Sequence, residues 1–225
     1  VYLVAVLAPV LAGSPGWRPA VWTLGAMTLF LGGWRALRQD DLKLLLAYGT
    51  VSQLGLLVLL LGTGTEAAAL GGLAMVLAHA LFKATLFLVV GVVDHSTGTR
   101  QLSQLSGLGR KLPVTATVAA FAAASMAGIP PTLGFIAKEA GLEGITNLAL
   151  TGDGTGIAPV PAWALTTVIM VGSAITVAYS LRFWWGAFGN KRGVADAELS
   201  HAPERGFVAV PVLLGLASLV GGFLG

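Results

Sequence analysis

The sequence predicts an all-α membrane protein: a polytopic helix bundle with one discontinuous transmembrane helix. Three observations carry this. Hydrophobic residues make up 56% of the 225 and charged residues only 10%, whereas a soluble domain carries about 25% charged. Apolar runs recur at the length of a helical crossing, which needs about 20 residues. The Lys and Arg residues between those runs collect on one side only if a proline-broken stretch crosses once.

Taken in order, the opening run 1–12 is too short to cross and reads as the end of a helix that starts upstream of Val1. Runs at 20–37, 42–61, 67–93, 163–188 and 207–224 are each long enough to cross as helices. Connections at 13–19, 38–41, 62–66, 94–113, 151–161 and 189–203 hold the turn residues, prolines and charges. Asp40 and Asp41 suit an N-cap for the second full run. The glycine-rich stretch 151–156 follows no strand and lacks the Lys-Ser/Thr of a phosphate loop, so it reads as a loop. Trp17, Trp22, Trp163, Trp184 and Trp185 sit near run ends, where interfacial anchors belong.

The stretch 113–150 holds Gly128, Ile129, Pro130 and Pro131 in its middle, with Gly134 just after. Tandem prolines remove two backbone donors and break a helix. If the stretch crosses once, Arg35, Arg38, Arg100, Arg110, Lys111, Lys191, Arg192 and Arg205 share one side and Arg18 stands alone on the other. If it crosses twice, the split becomes five against four. The positive-inside rule selects the single crossing, with 38–41, 94–112 and 189–206 cytoplasmic. Broken helices at membrane depth survive where they are buried in protein or line a wet cavity.

Lys43, Lys83, Lys138 and Arg182 remain inside the runs. Lys83 is central, and His79 lies four residues before it on the same helical face. A lysine at mid-bilayer costs about 2.5–3.5 kcal/mol on insertion scales. The bland alternative is a bonded histidine beside a lysine that snorkels, but snorkelling from mid-span has too far to reach. A proton or ion path is the better reading. Lys138 follows the break, beside Glu139 and one turn before Glu143. Its alternative is a charged helix end at the outer interface. Lys43 opens its run and can reach headgroups, yet the polar residues Tyr48, Thr50, Ser52 and Gln53 continue inward from it. Arg182 reads as snorkelling, and His95 and His201 as solvated loop residues. Candidate relay residues are therefore Lys83, His79, Lys138, Lys43 and Glu139.

Cysteine is absent, no His/Asp/Glu set has metal-ligand spacing, and no Ser/His/Asp arrangement stands out. A cofactor, a metal and an enzyme active site are not expected. The net charge of +3 is small, and nothing points to nucleic acid.

The stretch from Asp41 to Gly55 (DLKLLLAYGTVSQLG) resembles a segment of the antiporter-like subunits shared by respiratory complex I and Mrp-type cation/proton antiporters. The residues around His79 and Lys83 (HALFKA) are similar to that family's lysine-bearing central helix. Residues 125–139 (SMAGIPPTLGFIAKE) resemble its second discontinuous helix. The stretch 93–100 (VDHSTGTR) looks like the large A subunit of Mrp antiporters. Two positions depart from the family pattern, Leu44 for a basic residue and Gly49 for a serine. The resemblance implies that 20–188 form the second five-helix inverted repeat, with 207–224 an additional helix. It implies proton passage along a buried Lys/His/Glu axis, coupled to sodium efflux, in an inner (plasma) membrane complex with other antiporter subunits and no cofactor. The homologous proton-pumping subunit of complex I and a non-transporting membrane scaffold are the alternatives.

Overall fold

The computed structural model describes residues 1–151 and 159–224. The helices are α1 (Tyr2–Leu11), α2 (Trp17–Leu37), α3 (Leu42–Gly62), α4 (Glu66–Thr97), α5 (Leu108–Lys111), α6 (Pro113–Ala127), α7 (Leu133–Thr151), α8 (Pro159–Phe188) and α9 (Arg205–Leu224). The glycine-rich stretch read as a loop lies outside the described residues except at Thr151, which ends α7. Among the described residues, four helices are long and apolar enough to cross a membrane: α3, α4, and the portions Pro161–Phe188 and Gly206–Phe223 of α8 and α9.

Local chemistry fixes the helix ends. The Asp41 carboxylate accepts from the amides of Lys43 (2.7 Å) and Leu44 (3.0 Å), which caps α3. Thr65 caps α4 in the same way through the Ala68 amide at 3.4 Å, and Gly98 ends that helix in the left-handed region at φ 73°. Several helices outrun their apolar stretches. α2 begins at Trp17 with Pro19 in its first turn, and α8 begins at Pro159 with Pro161 close behind. Proline is tolerated there because first-turn amides have no intrahelical partner. α4 likewise carries Asp94 and His95 within its last turn.

α4 lies at the centre, packed against α3, α6, α7 and α9. α2 runs antiparallel along α3, and their backbones touch: a Cβ on Gly55 would lie 2.7 Å from the Gly25 carbonyl oxygen. Such close approach is how helices associate where burial from water offers no drive. At one end of the pair, Trp17 donates to the Gly62 carbonyl at 2.9 Å and Arg18 to that of Thr63 at 3.0 Å. At the opposite end the connections fasten to one another. Leu42 donates to the Arg100 carbonyl (3.0 Å), Gly107 to Gly189 (3.0 Å), Ala197 to Ser106 (2.9 Å) and Ser200 to Ser96 (2.8 Å). Residues 38–41, 94–112 and 189–206 therefore meet at a single end of the bundle.

Because α6 starts and α8 finishes at that end, α6 and α7 together run from one end of the bundle to the other. The interruption between them has defined chemistry. Gly128 takes φ 83° and closes α6, with the Gly128 and Ile129 amides both returning to the Ala124 carbonyl at 2.9 Å. Thr132 then accepts from the Phe135 amide at 3.4 Å as α7 begins.

Candidate proton-path site

Lys83 sits midway along α4 and is only 5% exposed. Its Nζ donates to the Leu46 carbonyl on α3 at 2.9 Å, an oxygen that also accepts from Thr50 Oγ1 at 2.9 Å. Gly49, one turn on, presents no side chain, so the amine packs against the helix itself. His79, one turn before Lys83, is half-buried and meets the Phe82 ring edge-on at 5.4 Å. Its Nδ1 is buried without a hydrogen-bond partner among the described residues.

Beyond Gly49 lies a polar cluster between α3 and α8. Gln53 Nε2 donates to Thr176 Oγ1 at 3.0 Å and to Tyr179 Oη at 2.9 Å. Ser52 Oγ donates to the Leu29 carbonyl at 2.9 Å. Gln53, Thr176 and Tyr179 are fully buried. Tyr179 and Thr176 escape a reading of the sequence. The only signal is their spacing with Ser180: three hydroxyls within five residues of an apolar helix.

Lys138 occupies a different place, at the interruption. Its Nζ donates to the Met126 and Ala127 carbonyls, each at 3.0 Å. These belong to the last turn of α6, whose carbonyls lack intrahelical partners and carry the negative end of the helix dipole. A cavity of about 280 Å³ adjoins it, lined by Lys138, Glu139, Gly128, Leu56 and Ser173 among others. Glu139 is exposed, as is Lys43 in the first turn of α3. Among the described residues no direct hydrogen bond or ion pair joins His79, Lys83, Lys138, Lys43 and Glu139 to one another. Arg182 donates to the Gln39 carbonyl at 3.0 Å, and His95 stacks on His201 at 6.1 Å.

Apolar crossing helices, a helix interrupted within the bundle, a buried lysine on α4 and a half-buried one just after the interruption define a multi-pass membrane protein of the antiporter-like class. Residues 1–151 match the model of the NADH:quinone oxidoreductase/Mrp antiporter transmembrane family, and the chain belongs to that family. It is 38% identical over its full length to the A/B subunit of a probable K(+)/H(+) antiporter of Rhizobium meliloti, covering 22% of that protein. It is 37% identical to the A subunit of the Na(+)/H(+) antiporter of Alkalihalophilus pseudofirmus, over 99% of this chain and 29% of that one. The chain thus spans about a quarter of the length of these relatives. In structure it resembles a chain of the Mrp complex from Dietzia sp. DQ12-45-1b, with TM-score 0.83 and 38% identity over 97% of this chain and 23% of the other. A chain of respiratory complex I from Thermus thermophilus gives 0.73 and 26%, over 91% and 40%.

Proposed function

We propose that this chain is a membrane portion of one subunit of a cation/proton antiporter, with Lys83 as its central proton-exchanging group. The single observation that carries the reading is the Lys83 amine, buried at mid-bundle and held by one backbone carbonyl with no acidic partner among the described residues. Such a group is expensive to bury, and ionisable residues inside membrane helices mark ion and proton pathways. His79, with its free Nδ1, is the neighbouring proton carrier on α4. Lys138 at the helix interruption is the next station, with Glu139 leading from the adjoining cavity and Lys43 at the entrance end of α3. Residues 20–188 act as one five-helix unit of an inverted-repeat antiporter, with 207–224 added to it. The Arg-rich end faces the cytoplasm of a plasma-membrane complex built with other antiporter subunits.

Higher identity to antiporter subunits than to the complex I chain supports the Mrp reading over the quinone-linked one. One relative is named for potassium and another for sodium. The exchanged cation here is proposed to be sodium, and substitution of potassium in the exchange assay tests it directly. The central test is Lys83→Met, which keeps the apolar stem and removes the titrating group. In the full complex it should abolish ΔpH-driven exchange while assembly persists, because deleting a buried charge need not weaken packing. Lys83→Arg should also be badly impaired, since guanidinium stays protonated. Full exchange by assembled Lys83→Met would favour the scaffold alternative.

A further inference from the structure

Leu46, Gly49 and Gln53 lie at i, i+3 and i+7 on α3 and so share one face. Acceptors and donors are unevenly distributed along it. The Leu46 carbonyl receives both Lys83 Nζ and Thr50 Oγ1, in addition to the backbone amide that helix geometry assigns it. Two turns on, Gln53 Oε1 is fully buried and has no partner among the described residues. An amide oxygen offers two lone pairs, and leaving both unmet in a dry interior is costly. Lys83 has N–H groups to spare, since its amine makes one hydrogen bond.

Between the two positions on that face α3 carries Gly49, which has no side chain, and the Tyr179 hydroxyl donates to the Gly49 carbonyl at 3.5 Å. A Cβ built on Gly49 would lie 3.2 Å from Lys83 Nζ and 3.2 Å from Tyr179 Cε2. The amine and the phenol ring therefore face each other across the bare glycine, within twice that distance. The Gln53 amide is held in place from its other end, by Thr176 Oγ1 and Tyr179 Oη. Gln side chains on a helix lean back towards its start, here towards Gly49 and Leu46.

We propose that Gln53 Oε1 is a second docking position for the Lys83 amine, which moves past Gly49 between the Leu46 carbonyl and the Gln53 amide. Tyr179 and Thr176 are the positioning residues that aim this amide. The movement carries a proton away from the Arg-rich end and delivers it beside the α8 hydroxyls. This rests on the reading of Lys83 as the proton-exchanging group and adds where that group goes.

The test measures ΔpH-driven exchange by the assembled, reconstituted complex in four variants. Gln53→Met keeps the length and removes the acceptor, and should slow exchange by about tenfold or more, as small misplacements of reacting groups do. Gly49→Ala puts a methyl group into the passage and should slow exchange to a similar degree. Gly49→Ser has nearly the same bulk but offers the amine a hydroxyl on its way, and should keep exchange within about threefold of the parent. A purely structural role for Gly49 predicts that Ala and Ser fall together, and that result overturns the proposal. Wild-type exchange in Gln53→Met overturns it too. Lys83→Met, the fourth variant, separates the two levels. If it is inactive while Gln53→Met is normal, only the second docking position is lost. If Lys83→Met exchanges normally, the underlying reading of Lys83 falls first.

Discussion

Lys138 and Lys191 do one physical job at two places, each turning an ammonium towards backbone carbonyls where helices end. Lys191 Nζ reaches the Leu102, Leu105 (2.8 Å) and Gly186 (2.6 Å) carbonyls, pinning the connection after α4 to the last turn of α8. Lys191→Met should cost about 1–3 kcal/mol by leaving these acceptors to compete for water. Faster amide exchange confined to 102–107 would register the loss. Burial holds the Lys191 pKa below its ordinary 10.5, with Asp40 opposing and Arg182 reinforcing the shift. A lowered folded-state value means that the unfolded chain binds more protons in the interval up to 10.5. The parent should therefore gain stability as pH rises through that alkaline interval, and Lys191→Met should lack the gain. Denaturation followed across the interval in detergent decides it; parallel curves would mean that Lys191 is solvated.

The interrupted helix is the element on which sequence and structure meet most directly. Tandem prolines and flanking glycines act on their own backbone, so the interruption at Gly128, Pro130 and Pro131 is legible without tertiary information. What closes it is not. Ser125 Oγ accepts from the Gly134 amide at 3.2 Å and lies 3.0 Å from Ser218 Oγ on α9. One hydroxyl thus joins both halves to a third helix. Neither serine stands out in the sequence, because a lone hydroxyl in an apolar helix usually bonds its own preceding turn. Thr176 and Ser180 do bond that way, to the Gly172 and Thr176 carbonyls. Only the arrival of Gln53 from α3 makes the α8 hydroxyls a cluster. Gly134→Ala would drive a methyl group into the Ser125 backbone, and Ser125 Oγ would lie only 2.8 Å away. Overpacking of this kind costs about 1–3 kcal/mol. Ser125→Ala, which strands the Gly134 amide, should cost a comparable amount. Thermal unfolding in detergent should show both variants destabilised, with Ser218→Ala affected less because it touches no backbone group across the interruption. Equal stability of Ser125→Ala and the parent would remove the hydroxyl from the closure.

At the scale of the whole molecule, the crossing pattern follows from which connections touch. Charge alone separates one crossing from two for the interrupted stretch, because eight Lys and Arg residues fall on one side only in the first case. The fold places those connections together through contacts that composition does not reveal. The Asp41 carboxylate pairs with Arg100 at 3.3 Å, Arg100 reaches Asp94 at 3.6 Å, and Asp40 accepts from Ser103 Oγ at 2.6 Å. Acidic residues at the Arg-rich end thus fasten the α2–α3 connection onto the one after α4. The opposite end is held by Trp17 and Arg18 on the α3 terminus. A side-specific label should read out this polarity. With cysteine absent from the chain, single cysteines at Thr99, Ser200 and Ser14 introduce one reactive site each. Ser14 and Ser200 are exposed, and Thr99 is half-exposed in the connection after α4. An impermeant maleimide applied to intact cells should label Ser14→Cys and leave the other two until the membrane is opened. Inverted vesicles should give the reverse. If Thr99→Cys and Ser200→Cys react from different sides, the stretch from α6 to α7 crosses twice and the interrupted helix loses its place within the bilayer. If all three sites react as expected, Lys138 and its two carbonyl partners lie within the bilayer, where a buried ammonium is expensive enough to require a use.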